Sequence, residues 1–167
     1  MSPKLVLVGP MGAGKTTVAS LLGESWGLPV RDTDDDIEAA EGRSVSDIFV
    51  DDGEDHFRTL EATAVAEALS QHRGVLALGG GAVLDPQTRE LLADHRVVFL
   101  RVGLSDAVQR VGLGVGRPLL LGNVRARIKA LLDERTPVYE SVATHVVETD
   151  GRSPDEVAAE VRRLLDE

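Results

Sequence analysis

The chain has 167 residues and a formal charge of −10, from 18 lysines and arginines against 28 aspartates and glutamates. That is the length of one domain with its own core, and the charge disfavours nucleic acid or anionic membrane as partners. No cysteine means neither a disulfide framework nor a thiolate metal site, and 43% hydrophobic residues with only 3% aromatics describe a Val, Leu and Ala core suited to a parallel sheet.

In chain order, Lys4–Val8 reads as a first strand and Lys15–Trp26 as an amphipathic helix. Leu28–Asp32 is a second strand, followed by short helices over Asp35–Glu41 and Ser44–Phe49 and a long one from Glu54 to Leu69. Val75–Leu78 is a third strand running straight into Gly79-Gly80-Gly81. Pro86–Ala93 is helical, Val97–Leu100 is a fourth strand, and Ser105–Val111 is a helix with Ser105 as its N-cap. Gly112–Gly122 has little helical period. Val124–Arg135 is a helix stopped by Pro137, Val146–Glu148 a short fifth strand, and the closing helix, ending at Leu165, is capped by Ser153 with Pro154 in its first turn. Strand–helix alternation of this kind predicts a single three-layer α/β/α domain over residues 1–167 around a five-stranded parallel sheet, with ligands at the carboxyl ends of the strands. There is no repeat, linker or apolar run of membrane-spanning length, and the first strand begins too early to leave room for a signal peptide, so a cytoplasmic protein is expected.

Gly9-Pro10-Met11-Gly12-Ala13-Gly14-Lys15-Thr16 follows the first strand and opens the first helix. This is the complete pattern of a phosphate-binding loop in the context that gives it meaning. Glycines let successive N–H groups turn toward a phosphate, and the helix N-terminus adds its positive end. Lys15 is placed to reach the outer phosphates of a nucleotide and Thr16 to ligate Mg²⁺. In a chain with lysine only at positions 4, 15 and 129, a lysine here points to a phosphate contact.

Asp32 and Asp34 end the second strand and should project toward this loop. One reading makes Thr33 or Asp34 a cap of the next helix. The other gives Asp32 to Mg²⁺ through a water and Asp34 to a substrate hydroxyl, whose deprotonation it assists. Glu54, Arg58 and Glu61 recur at helical spacing, so they suit a charge ladder, yet Arg58 also suits a ligand carboxylate. Three consecutive glycines at 79–81 are more than a tight turn needs and point to close backbone approach to a ligand. Arg110 and Arg117 read either as solvated surface or as cations of a mobile lid over the phosphates. His56, His72, His95 and His145 show no metal-ligand spacing and read as surface or capping residues.

Together the phosphate loop, Asp32-Thr33-Asp34, Gly53-Glu54-x-x-Phe57-Arg58-x-x-Glu61, Leu78-Gly79-Gly80-Gly81, Arg117-Pro118-Leu119 and Arg135-x-Pro137-x-Tyr139 resemble the shikimate kinase family of the P-loop, nucleoside monophosphate kinase-like superfamily. The likeness spans essentially the whole chain. It implies a magnesium-dependent transfer of the ATP γ-phosphate to the 3-hydroxyl of shikimate, by a monomer serving aromatic amino acid biosynthesis. It implies catalytic roles for Lys15, Asp34 and Arg117, and nucleotide contacts from Gly12, Ala13, Gly14, Lys15, Thr16, Thr17, Arg110, Arg117 and Arg152. Asp34, Arg58, Gly80, Gly81 and Arg135 would bind shikimate, and Thr16 and Asp32 the metal. The acceptor-binding region would span about 32–61 and the lid about 112–122. Ser20 and Arg31, where relatives commonly carry an arginine and an apolar residue, and the glycine-rich lid are departures expected to affect lid mobility or surface charge. A kinase acting on gluconate or a nucleoside monophosphate is the nearest rival, and a non-catalytic nucleotide-binding module the next. Two arginines placed for a carboxylate favour shikimate over a nucleotide acceptor but do not exclude gluconate.

Overall fold

The computed structural model describes residues 3–10, 12–115 and 121–166. Five parallel strands form one sheet: β1 (Leu5–Val8), β2 (Val30–Asp32), β3 (Val75–Ala77), β4 (Val97–Arg101) and β5 (His145–Glu148), in the order β2-β3-β1-β4-β5. Side chains alternate across the sheet. Leu5, Leu7, Val98 and Leu100 face one layer, where α1 (Lys15–Trp26) and α8 (Pro154–Leu165) contribute Val18, Leu22, Val157 and Val161. Val6, Val8, Leu76 and Phe99 face the other, covered by Val65 and Ala68 of α4 (Glu54–Gln71), Leu92 of α5 (Pro86–Leu92) and Tyr139 of α7 (Leu121–Val142). A satellite core of Ile37, Ile48 and Phe57 joins α2 (Thr33–Glu41) and α3 (Val45–Asp52) to α4. None of the described helices is long and apolar enough to cross a membrane.

Local chemistry explains most helix boundaries. Ser153 and Glu156 form a reciprocal capping box with Pro154 in the first turn of α8, as the sequence predicts. Asp32 caps α2, accepting from the N–H groups of Asp34 and Asp35, so the cap falls one residue before the positions considered from sequence. β2 begins at Val30 and not at Leu28, because Leu28 N–H is drawn to the Gly23 carbonyl at the end of α1.

Three expectations fail. α6 runs over Leu104–Val115, so Ser105 lies in its first turn and the cap position passes to Gly103, whose carbonyl accepts from Ala107 N–H. The same helix carries regular structure into the segment read as lacking helical period, and α7 starts at Leu121. The two helices pack along each other, which offsets the roughly 1 kcal/mol that each interior glycine costs. Finally, Pro137 does not end α7, which continues to Val142. Downstream Tyr139 is fully buried with its ring centroid 5.0 Å from that of Phe99, and Val138 and Val142 pack on the same core. Their burial outweighs the roughly 3 kcal/mol penalty of an interior proline.

Candidate active site

The carboxyl ends of β1, β2 and β3 converge on one cavity of about 740 Å³. β1 delivers the phosphate loop, in which Gly9 has φ 150° and Gly14 has φ 87°, a left-handed conformation that favours glycine. A Cβ on Gly9 would lie 2.7 Å from the Leu100 carbonyl oxygen. Lys15 opens α1, and its ammonium donates to the carbonyls of Gly9 at 2.6 Å and Pro10 at 3.0 Å. Thr16 Oγ1 donates to Asp32 Oδ2 at 3.3 Å, while Asp32 Oδ1 is occupied by the α2 cap. Asp32 thus divides its two oxygens between the α2 cap and the Thr16 hydroxyl.

Asp34 stands across from Lys15. Its Oδ1 is buried without a hydrogen-bond partner among the described residues. Burial, reinforced by Asp32 and Glu61 and opposed by Lys15, pushes the carboxyl up to about 6. Burial likewise lowers the Lys15 ammonium to about 8, against the upward pull of Asp34 and Asp32. Both groups therefore titrate close to neutrality.

Arg58 forms the charge ladder along α4 and also faces the cavity. Its guanidinium donates to Glu61 at 2.7 Å and Glu54 at 3.3 Å along α4, and the same side chain lines the cavity. Glu61 is only 3% exposed, so this ion pair orients Arg58 far more firmly than a surface ladder would. Arg135, on α7, reaches the same cavity with a buried Nε that has no partner among the described residues. Between them lies the glycine strip 79–81. A Cβ on Gly79 would meet Asp34 Oδ1 at 2.6 Å, and one on Gly81 would fall inside the Arg58 guanidinium. Both glycines leave room for the approach of protein side chains, a cause that the sequence reading, with its emphasis on a ligand, did not identify.

The larger cavity gathers Gly12, Gly14, Lys15, Thr16, Thr17, Asp32, Asp34, Arg58, Gly80, Gly81, Arg110 and Arg135. A smaller one of about 170 Å³ shares Gly14, Thr17 and Arg110 with it and adds Ala13 and Arg152. Arg110 bridges α6 to the loop, donating to the Gly12 carbonyl at 2.9 Å and the Thr149 carbonyl at 3.1 Å. Arg152 pairs with Glu160 at 2.8 Å, away from the larger cavity. Arg117 and residues 116–120 of the expected lid lie outside the described residues. Ser20 is exposed, and Arg31 pairs with Asp36 at 2.6 Å. Among the histidines, His72 caps the end of α4, as expected of a capping residue, and its Nε2 lies 3.0 Å from the Val75 carbonyl oxygen.

Sequence reasoning missed the apolar wall formed by Val45, Phe49, Ile128, Leu131 and Leu132, to which Phe57 also contributes. A signal was present on α7, where 128, 131, 132 and 135 share one helical face.

A family model described as shikimate kinase matches residues 11–166. The chain belongs to the shikimate kinase family. Members of this family are ATP-dependent kinases, and among the relatives the shikimate kinase of Salinispora arenicola is 59% identical over 165 residues, covering 99% of each chain. The structure of shikimate kinase from Acinetobacter baumannii in complex with shikimate superposes with a TM-score of 0.90 at 37% identity, covering 99% of this chain and 93% of that one. A gluconokinase from Sinorhizobium meliloti gives a TM-score of 0.60 at 20% identity, a likeness of fold alone. Family membership and the all-parallel sheet with its phosphate loop agree in making this chain a P-loop phosphotransferase.

Proposed function

We propose that the chain transfers the γ-phosphoryl group of ATP to the 3-hydroxyl of shikimate, giving ADP and shikimate 3-phosphate for aromatic amino acid biosynthesis. The observation that carries this reading is that one cavity is lined both by the phosphate loop with Lys15 and by two arginines with Asp34. The amides from Gly12 to Thr17 cradle the phosphates, and Arg110 and Arg152 flank the base and ribose. Arg58 and Arg135 hold the shikimate carboxylate, and the backbone of Gly80 and Gly81 lies against its ring.

Asp34 accepts the proton of the attacking hydroxyl while the new O–P bond forms and the bond from the γ-phosphorus to the bridging oxygen breaks. A carboxyl held near 6 is ionised at neutral pH yet basic enough for that transfer. Lys15 exchanges its carbonyl partners for the migrating phosphoryl, assisted by Arg117 from the lid, and opposes the developing charge. Thr16 Oγ1 and Asp32 Oδ2 are hard oxygen donors 3.3 Å apart, a pair that fits Mg²⁺ held directly by the hydroxyl and through water by the carboxylate. Bound there, Mg²⁺ supplies neutralisation of the phosphate oxygens.

In this reading residues 1–167 are one kinase domain, with acceptor contacts concentrated in 32–61 and a lid over 112–122, acting as a cytoplasmic monomer with no nucleic acid or membrane partner. The net charge of −10 supports the last two points. The test is ADP release from Mg·ATP with shikimate, with gluconate and with no acceptor. ADP formation dependent on shikimate is expected. Turnover with gluconate in its place would transfer the assignment to that acceptor, and ATP binding without turnover on either would contradict it.

A further inference from the structure

Two hydrogen bonds on the glycine strip are not used by the chemistry above. Gly79 N–H donates to Thr33 Oγ1 at 3.3 Å, and the Tyr139 hydroxyl donates to the Gly80 carbonyl at 2.5 Å. Both side chains are fully buried, Thr33 and Tyr139 each showing 0% exposure. The contacts reach across 46 and 59 residues of sequence, from α2 and α7. Each anchor is also tied to an acceptor-side group. Thr33 immediately precedes Asp34, and Tyr139 lies one helical turn beyond Arg135. Burial raises the Tyr139 phenol, opposed by the Arg135 charge beside it, and the hydroxyl remains a donor.

A run of three glycines has more backbone freedom than any other run. Side chains at 79 and 81 would stiffen this one only by displacing Asp34 and Arg58. Rigidity has to come from partners outside the strip. The Gly79 N–H is buried and the Gly80 carbonyl half-buried, and such a group that loses a partner is costly, so these two hydroxyls hold the strip in one position.

We propose that Thr33 and Tyr139 are positioning residues that clamp the glycine strip from opposite sides, fixing Asp34 and Arg135 in register with the backbone of Gly79–Gly81. The inference rests on the reading of these groups as the shikimate-binding face. A packing role alone would cost stability without distinguishing the two substrates. A positioning role weakens the acceptor side and spares the nucleotide.

The test compares Tyr139→Phe, which keeps the ring against Phe99, with Thr33→Val, which keeps the shape of the side chain, and Thr33→Ser, which keeps the hydroxyl. KM for shikimate, KM for ATP, kcat and Tm are measured for each. Loss of one buried hydrogen bond should raise the shikimate KM by about fivefold. The ATP KM should stay within about twofold of wild type, and Thr33→Ser should recover most of the loss. A lowered Tm with unchanged kinetics, or equal rises in both KM values, would overturn the proposal. Tyr139→Phe decides the matter by itself if Thr33→Val does not fold. Wild-type protein that does not turn over shikimate would remove the acceptor assignment and the clamp together. Wild-type turnover matched by Tyr139→Phe would remove the clamp alone.

Discussion

Asp34 and Lys15 oppose each other across the cavity, and burial moves both toward neutrality from opposite directions, to about 6 and about 8. The proposed chemistry needs Asp34 ionised and Lys15 protonated. Turnover should therefore fall as Asp34 takes up its proton below about pH 6 and as Lys15 loses its own above about pH 8. The profile of kcat/KM, which reports the free enzyme, is expected to be bell-shaped with limbs near those values. An acidic limb near an ordinary carboxylate value would show that Asp34 is not the group whose ionisation limits the reaction. Sequence placed both residues at the site, since loop and strand end are local patterns. It could not supply the perturbed pKa values, which arise because Asp34, Asp32, Glu61 and Arg135 meet only in the folded chain.

At the scale of elements, the glycine strip after β3 is shaped by the side chains that lie against it. Gly81→Ala would insert a methyl group into the Arg58 guanidinium, displacing the far end of a flexible side chain while leaving the backbone at φ −102° unstrained. The expected result is a shikimate KM raised by about tenfold, the scale of a charge-assisted hydrogen bond, with little change in the ATP KM or Tm. Steady-state kinetics with each substrate varied in turn would check it. Equal effects on both substrates would place Gly81 in a general structural role. The position of the strip and of the phosphate loop at the cavity was legible in sequence because both are glycine clusters at strand ends, whereas the side chains that press on the strip come from α2 and α4 and were not. The course of α7 was not. Pro137 is a strong local stop signal, and only the burial of Tyr139 against Phe99, a contact between distant segments, overrides it. The apolar wall of the cavity was hidden for a related reason: Phe49 and Leu132 look like ordinary core residues until α3 and α7 are brought face to face.

For the whole molecule, the site runs against stability. The folded chain holds the Asp34 proton with a pKa of about 6, above the ordinary 3.8. Raising the pH through that window removes a proton that the folded state binds more tightly than the unfolded state does. Ionised Asp34 therefore costs stability, fully above about pH 6 and progressively less down to about pH 4. Asp34→Asn should melt higher than wild type at about pH 7 and level with it at about pH 4, while losing most of its turnover, a trade expected of a functional carboxylate. Thermal scans at the two pH values would measure this, and a lower Tm for the variant at neutral pH would show the carboxylate to be a net stabiliser. The same opposition explains how a chain of net charge −10 can take two anionic substrates. Lys15, Arg58, Arg110 and Arg135 line one cavity and offset the global field there.

The central claim is that the face opposite the phosphate loop selects its acceptor by the carboxylate. Its most direct test is the ratio of kcat/KM for shikimate to that for shikimate methyl ester, in wild type and in Arg58→Ala. Wild type should prefer the free acid strongly, and the variant should lose at least about tenfold of that preference, because only the charged acceptor makes the missing contact. An unchanged ratio in Arg58→Ala, with both acceptors slowed alike, would contradict the assignment of the two arginines and with it the orientation of shikimate in the cavity.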